Sequence, residues 1–258
     1  MNRRVTRWLS GWLAPVVVML MSGPRPASAA EIRLLGAGPL RPALTALAEK
    51  FQRETGHVVK IETLPGADVT RILASDEPAD IFMSNNVATV DLLIKDGKAA
   101  ESKTLVGRTG IGVMVRRGAP VPAVATAADI KAAVLAADAV AYNTAPSGQF
   151  VEKMFEQMGV ADKIKDKSVR PPNGASTMER VAGGKGAEIG FGLRNEMTPY
   201  LDKGLQFVAM LPDDLQNYTR YEAVVLARSQ AADAARAFLR YVTSAAARPE
   251  FEKIGVVD

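Results

Sequence analysis

Cysteine is absent from the 258-residue chain, and histidine occurs once, at His57. The absence of cysteine excludes disulfides and thiolate ligands for zinc. A single histidine excludes a two-histidine zinc site, and a serine–histidine triad would have to use His57. No G-x-S-x-G nucleophile turn is present either. We therefore expect no metal, no cofactor and no enzymatic activity.

Aromatic residues are scarce, at 6% of the chain, and none alternates with basic clusters. The formal net charge is +4, and residues 1–29 contain four arginines and no acidic residue, so the rest of the chain is neutral. A neutral surface with few aromatics lacks the charge and the stacking groups of a nucleic-acid-binding protein. We expect no nucleic-acid partner.

The first 29 residues have the organisation of an export signal. Three arginines within the first seven residues precede a short apolar core at residues 8–21, and the small residues Ala27 and Ala29 follow. This order is typical of a secretory signal peptide, here cleaved near Ala29 or Ala30. The apolar run is shorter than the about 20 residues that span a bilayer. We predict a periplasmic protein, and an uncleaved anchor is the alternative.

Beyond residue 30, predicted strands and helices alternate. The sequence EIRLLGAG predicts a strand, and residues 40–56 carry apolar side chains at helical spacing and end at Gly56, a typical helix C-cap. Thr126 is a predicted N-cap, and the helical segment at residues 231–256 is expected to break near Pro249. Alternation of this kind predicts an α/β fold with mainly parallel sheets.

Four predicted strands end in small polar residues, each followed by a helix: GAGPL, LPGAD, YNTAPSGQ and PPNGAST. Ligands of parallel sheets bind beyond the carboxyl ends of the strands, and helix N-termini attract anions. The alternative is that Asp68, Thr144, Ser147 and Ser176 only cap helices. We predict that these turns bind a small anionic solute. The predicted ligand-binding residues are Gly38, Pro39, Gly66, Ala67, Asp68, Asn85, Ser147, Gly148, Asn173, Gly174 and Ala175.

Three segments, EPADIF, APSGQFVEKMFEQMGV and GAEIGFGL, resemble conserved segments of the periplasmic molybdate-binding proteins, and the similarity extends over the chain beyond the signal. The resemblance implies a type II periplasmic binding fold with two α/β lobes and a cleft between them. Residues 31–108 and 219–258 would form lobe 1, and residues 109–218 lobe 2. The resemblance also implies that the protein delivers the solute to the membrane permease of an ABC importer. We expect a monomer.

The ligand-contacting positions implied by the resemblance differ in this chain. Family serines fall on Pro39 and Gly66, and a family tyrosine falls on Leu193, so hydroxyl donors for a tetrahedral oxyanion are lost. Molybdate and tungstate thus compete with an organic carboxylate as the predicted ligand. Arg108 and Arg194 are candidate partners, because a guanidinium binds a carboxylate bidentately, although surface ion pairs would also explain them.

The function predicted from these features is that of an extracytoplasmic solute-binding protein of an ABC importer. Two alternatives remain open: an exported module that presents a bound solute to a membrane receptor, and an exported enzyme on the same fold.

Overall fold

A computed structural model of the chain describes residues 29–36, 38–64, 66–75, 77–100 and 102–258. The predicted signal peptide therefore lies almost entirely outside the described residues. None of the helices in the described ranges combines the length and hydrophobicity of a bilayer-spanning helix.

The strands and helices alternate through most of the described chain. The strands are β1 (Glu31–Gly36), β2 (Val58–Glu62), β3 (Ile81–Ser84), β4 (Thr104–Arg116), β5 (Ala139–Ala141), β6 (Ser168–Val169), β7 (Glu188–Leu193), β8 (Leu205–Met210) and β9 (Tyr218–Val225). The helices are α1 (Arg41–Thr55), α2 (Gly66–Ala74), α3 (Val87–Lys95), α4 (Ala127–Ala136), α5 (Pro146–Gln157), α6 (Ala161–Ile164), α7 (Gly174–Ala182), α8 (Arg194–Met197), α9 (Ala232–Val242) and α10 (Arg248–Glu252).

One sheet contains these strands in the order β2-β1-β3-β9-β4-β7-β5-β6, and β8 pairs with β4 beside this path. The strand β1 is parallel to β2 and β3, and β5 is parallel to β6 and β7. The strand β9 runs antiparallel to β3 and β4, and β4 runs antiparallel to β7 and β8. The predicted α/β class is confirmed, with antiparallel pairings around β4 and β9.

The long strand β4 belongs to both ends of the sheet. Its first part pairs with β9, where Thr109 lies opposite Thr219. Its second part pairs with β7, where Ile111 lies opposite Leu193. Side chains alternate across the strand, so Val113 packs on one face and Met114 on the other. Helices cover both faces of the sheet, which accounts for the nearly continuous burial of this strand.

Local signals at helix ends account for several element boundaries. Gly56 ends α1 in the left-handed conformation with a φ of 79°, as the sequence predicts. Thr126 caps α4 through a capping box with Asp129. The predicted break in the last helical segment comes earlier than Pro249: α9 ends at Val242, and Pro249 lies in the first turn of α10. Proline is tolerated there because first-turn amides have no partner within the helix.

Candidate functional site

A cleft of about 670 Å³ lies between the start of α1 and the segment that follows β7. One wall comes from the turn after β1, the first residues of α1 and the residue after β2, and the other from α7 and residues 195–200. The bordering residues are Gly38, Pro39, Arg41, Pro42, Thr45, Thr63, Ala175, Asn195, Glu196, Pro199 and Tyr200. Its size is that of a pocket for a small organic molecule.

The first wall presents positive charge. Arg41 opens α1, is exposed, and has no ion-pair partner in the described part of the chain. No side chain caps the N-terminus of α1. Because the helix macrodipole places partial positive charge at the same end, this wall attracts anions.

The opposite wall places a carboxyl group against the start of α7. The side chain of Glu196 occupies the space beside Gly174, and a methyl group at position 174 would collide with its carboxylate. Gly174 is buried, and the next residue, Ala175, borders the cleft. Glycine at position 174 therefore makes room for the carboxyl group of Glu196.

Glu196 is partly buried, and it has no hydrogen-bond or ion-pair partner among the described residues. Burial raises the pKa of its carboxyl group above the ordinary value of 4.5. Two phenols lie near enough to interact with it electrostatically, those of Tyr200 and Tyr221. A raised pKa makes the ionised carboxylate a stronger base, which suits proton transfer.

Asn195 connects the cleft to the two central strands. Its side-chain amide donates a hydrogen bond of 2.8 Å to the hydroxyl of Tyr221 on β9, and its backbone N–H donates to Oγ1 of Thr109 on β4 at 3.4 Å. Asn195 is 1% exposed, and its Oδ1 has no partner within the described residues. Burial raises the pKa of Tyr221, so this phenol stays neutral and holds the amide in place.

Three predicted site residues, Gly38, Pro39 and Ala175, border the cleft. The residues Gly38 and Pro39 lie in a 3-10 turn between β1 and α1. Two more lie directly behind the wall: Gly174 supports Glu196, and Asn173 caps α7 by accepting the N–H of Ser176 at 2.9 Å. These five residues lie at or beside the cleft, and their role in ligand binding stays a prediction.

Three predicted residues lie at the N-terminus of α2: Gly66 begins this helix, and Ala67 and Asp68 follow in its first turn. Neither Ala67 nor Asp68 is among the residues that border the cleft. Asn85 follows β3 as an exposed residue, next to Asn86, which caps α3. It does not border the cleft either.

The predicted anion turn at the start of α5 is filled by the protein itself. The backbone N–H of Gly148 donates to Oδ1 of Asn143 at 3.1 Å, and the hydroxyl of Ser147 lies 3.3 Å from the amide nitrogen of Asn143. A Cβ at position 148 would collide with the carbonyl of Asn143. Local capping therefore explains both the polar residues and the glycine of this turn, and neither residue borders the cleft.

The two candidate arginines lie on aromatic rings rather than on the cleft. The guanidinium of Arg108 stacks 4.5 Å from the ring centroid of Tyr218, and that of Arg194 stacks 4.6 Å from the centroid of Phe207. Arg194 also donates to Oγ1 of Thr198 at 3.0 Å. Stabilising contacts between guanidinium and aromatic groups account for both positions.

Several cleft residues were not predicted from the sequence, among them Arg41, Thr45, Thr63, Asn195, Glu196 and Tyr200. For Asn195 and Glu196 a signal was present, since both follow the carboxyl end of β7. We favoured the neighbouring Arg194 because a guanidinium suits a carboxylate. No group of three or more histidine, aspartate and glutamate residues in the described ranges could hold a metal ion.

A family model described as bacterial extracellular solute-binding protein matches residues 32–257. The chain is 28% identical over 232 residues to a protein named aconitate isomerase from Pseudomonas sp., with 87% of each chain covered. It is 25% identical over 224 residues to the molybdate-binding protein ModA of Azotobacter vinelandii, with 84% of this chain and 85% of the relative covered.

Among solved structures, the periplasmic molybdate-binding protein of Azotobacter vinelandii matches with a TM-score of 0.64 at 18% sequence identity, covering 88% of this chain and 99% of that chain. The predicted type II periplasmic binding fold and the resemblance to molybdate-binding proteins are thereby confirmed.

The expectation of no enzymatic activity is wrong, because the match with the relative named aconitate isomerase points to an enzyme. That expectation depended on the absence of nucleophile motifs, metal ligands and paired acid–base residues. An isomerase does not require any of these. The family model matches most of the length of this chain, so the chain belongs to the bacterial extracellular solute-binding proteins.

Proposed function

We propose that the protein binds a small unsaturated polycarboxylate in the cleft and isomerises it. The observation that carries the proposal is an unpartnered carboxyl group, Glu196, in a cleft whose opposite wall attracts anions. The relative named aconitate isomerase supports the same chemistry, because aconitate is an unsaturated tricarboxylate.

The charges of the cleft favour a substrate with separated carboxylates over a compact oxyanion. Arg41 and the N-terminus of α1 would hold one carboxylate, at a distance from Glu196. A molybdate ion concentrates its charge, and ionised Glu196 would repel it. Two like charges 4 Å apart repel by about 4 kcal/mol at the effective dielectric constant near a protein surface.

The apolar parts of the cleft suit a carbon skeleton. The rings of Pro39, Pro42 and Pro199 and the methyl group of Ala175 border it. Proline has no N–H and no hydroxyl group, so these positions cannot donate hydrogen bonds to an oxyanion. The hydroxyls of Thr45 and Thr63 add polar contacts at the rim of the same wall.

The test combines binding and turnover. We expect cis- and trans-aconitate to bind in calorimetry more tightly than molybdate, tungstate or sulfate. We also expect NMR of either isomer incubated with the protein to show conversion into the other. Sub-micromolar binding of molybdate without conversion of any carboxylate would contradict the proposal and leave a solute receptor.

Two arginine variants separate the cleft from the positions proposed by sequence alone. Loss of a charged hydrogen bond costs about 1.5–3 kcal/mol, so Arg41→Ala should weaken aconitate binding by roughly 10- to 150-fold. The matched control is Arg108→Ala, which removes the same group from the ring of Tyr218. A larger loss of aconitate affinity in Arg108→Ala would place the carboxylate site beside β4 and β9 instead.

Solute delivery to an ABC permease is the second candidate function, favoured by the family match and by the relatives named molybdate-binding protein. For either function we propose two lobes, residues 31–108 with 219–258 and residues 109–218, that close on the ligand. The pairing of Arg108 with Arg220 and of Thr109 with Thr219 would then lie at the hinge. Small-angle scattering should show a smaller radius of gyration with saturating trans-aconitate, and an unchanged radius would count against closure.

A further inference from the structure

We infer that Glu196 is the residue that removes and returns the substrate proton, and that Gly174 is the residue that positions it. The inference depends on the proposed function, because it names the group that performs the isomerisation. Molybdate binding would have no use for a carboxyl group in this position.

The first observation is that Glu196 is available. Its carboxyl group borders the cleft, and no hydrogen bond or ion pair engages it within the described residues. The buried glutamates of the described chain form ion pairs: Glu188 with Arg180, and Glu222 with Lys103. A partly buried carboxyl group that faces a cleft without a partner is free to contact a ligand, which indicates a functional role.

The second observation is that the chain makes space for this group. Gly174 is the first residue of α7, and any larger side chain there would collide with the carboxylate of Glu196. The carboxylate consequently lies at the positive end of a nine-residue helix. This end stabilises negative charge, on the carboxylate and on an intermediate that forms beside it.

The third observation is the neighbouring Asn195. It is buried with an unpartnered Oδ1 and is held by Tyr221 and Thr109. The oxygen and nitrogen of an amide are assigned from their partners, and the Tyr221 hydroxyl is able to accept from Nδ2 or donate to Oδ1. In the second orientation Nδ2 is free to donate to a substrate carboxylate beside Glu196.

The proton shift needs no co-reactant. Ionised Glu196 takes a proton from the methylene carbon next to the C=C bond, and the C–H electron pair becomes a new C=C bond. The electrons of the old double bond move to its far carbon and are delocalised into the attached carboxylate. Protonated Glu196 then returns the proton to that carbon. The product has the same atoms and the same charge, with the double bond displaced by one position.

Glu196 is the group that carries the proton, because the other groups that face it do not. Tyr200 and Tyr221 have pKa values raised mainly by burial, so both phenols stay protonated. Glu179 lies 3.5 Å from the hydroxyl of Tyr200 and is exposed, and Arg41 lies across the cleft. Arginine stays charged throughout the accessible pH range.

The experiment compares Glu196→Gln with the wild-type protein and with Glu156→Gln, which makes the same change on the exposed face of α5. We expect Glu196→Gln to lower kcat for aconitate isomerisation by about 100- to 10,000-fold. Its affinity for saturated propane-1,2,3-tricarboxylate should stay within a few-fold of wild type, and Glu156→Gln should keep full activity. Solvent deuterium should enter aconitate with the wild-type protein and not with Glu196→Gln.

A second variant tests the positioning role without removing the carboxyl group. Gly174→Ala displaces Glu196, and we expect a loss of about 100-fold in kcat, the usual consequence of a misplaced catalytic group. Gly183→Ala, at the other end of the same helix, is the control. In the wild type, kcat/KM should fall at acid pH as Glu196 becomes protonated. Glu196→Asp should show the same fall in kcat/KM, but at a different pH.

The outcomes distinguish the two proposals. If the wild-type protein neither converts nor exchanges any unsaturated carboxylate, the proposed function and this inference both fail. If it does and Glu196→Gln stays within tenfold, only the role of Glu196 is overturned. Equal losses in turnover and in affinity for the saturated ligand would make Glu196 a binding residue and contradict proton transfer.

Discussion

Tyr221 is completely buried, and its hydroxyl contacts Asn195, which joins the cleft to both β4 and β9. Hydrogen bonds of this kind contribute little when formed but much when one partner is removed, because the other is left unsatisfied. The site thus depends on a buried residue that would not touch the ligand.

Tyr221→Phe should lower the free energy of unfolding by about 1–3 kcal/mol, since the amide of Asn195 loses its partner away from water. Urea denaturation measures the change. Tyr218→Phe makes the same substitution on a ring that is 39% exposed and should be nearly neutral. Similar effects of the two substitutions would contradict the role given to the contact between Tyr221 and Asn195.

Glu196 should make the stability of the unliganded protein depend on pH. Its pKa is raised in the folded state, so folding favours the protonated carboxyl group. The stability gained by burying the protonated carboxyl group is fully present below the ordinary pKa of 4.5. It is lost as the pH rises through the folded-state pKa, because the group then ionises while it is buried. Glu196→Gln should therefore be more stable than wild type at neutral pH, and this advantage should vanish in acid. Thermal denaturation across that range would show a constant difference if burial of the charge were irrelevant.

Helix α4 has two reciprocal hydrogen bonds at its start. The N–H of Asp129 donates to Oγ1 of Thr126 at 3.1 Å, and the N–H of Thr126 donates to Oδ2 of Asp129 at 3.0 Å. Thr126→Ala should cost about 1 kcal/mol of stability, because an N-terminal amide loses its partner. Asp129→Ala should cost a similar amount, and the double variant less than the sum. Additive effects in urea denaturation would mean that the two bonds do not support each other.

Short elements mark the limit of pattern-based prediction at this scale. Helix α1 extends over 15 residues with a buried face, and its hydrophobic periodicity predicts it well. Helix α8 has four residues and continues into a 3-10 turn at Thr198–Lys203, so no periodicity can develop. The residues Asn195, Glu196 and Tyr200 lie in this segment, which is why the sequence analysis missed one wall of the cleft.

At the scale of the whole molecule, export remains a prediction. Ala30 already participates in the fold, since its carbonyl accepts the N–H of Val58 at 2.9 Å and its N–H donates to Nδ1 of His57 at 3.0 Å. Cleavage just before it would leave the described fold intact.

Mass spectrometry of the periplasmic fraction should find a mature start at Ala30 or Glu31. The control replaces Arg3, Arg4 and Arg7 by asparagine, which should retain the uncleaved precursor in the cytoplasm. A periplasmic protein that keeps Met1 would contradict the prediction.

The sequence by itself determined the α/β class and several helix ends. These features depend on local periodicity, on Gly56 and Thr126 as caps, and on strand ends such as that before Gly38. Local interactions act between near neighbours in the chain, so they can be predicted from the sequence.

Only the tertiary structure decided which polar residues share a cleft. It brings Arg41 and Glu196, which are far apart in the sequence, to one cavity. This result depends on how β4 and β9 place the elements on either side of them. A contact of that kind follows from the packing of the whole chain, and no local pattern records it.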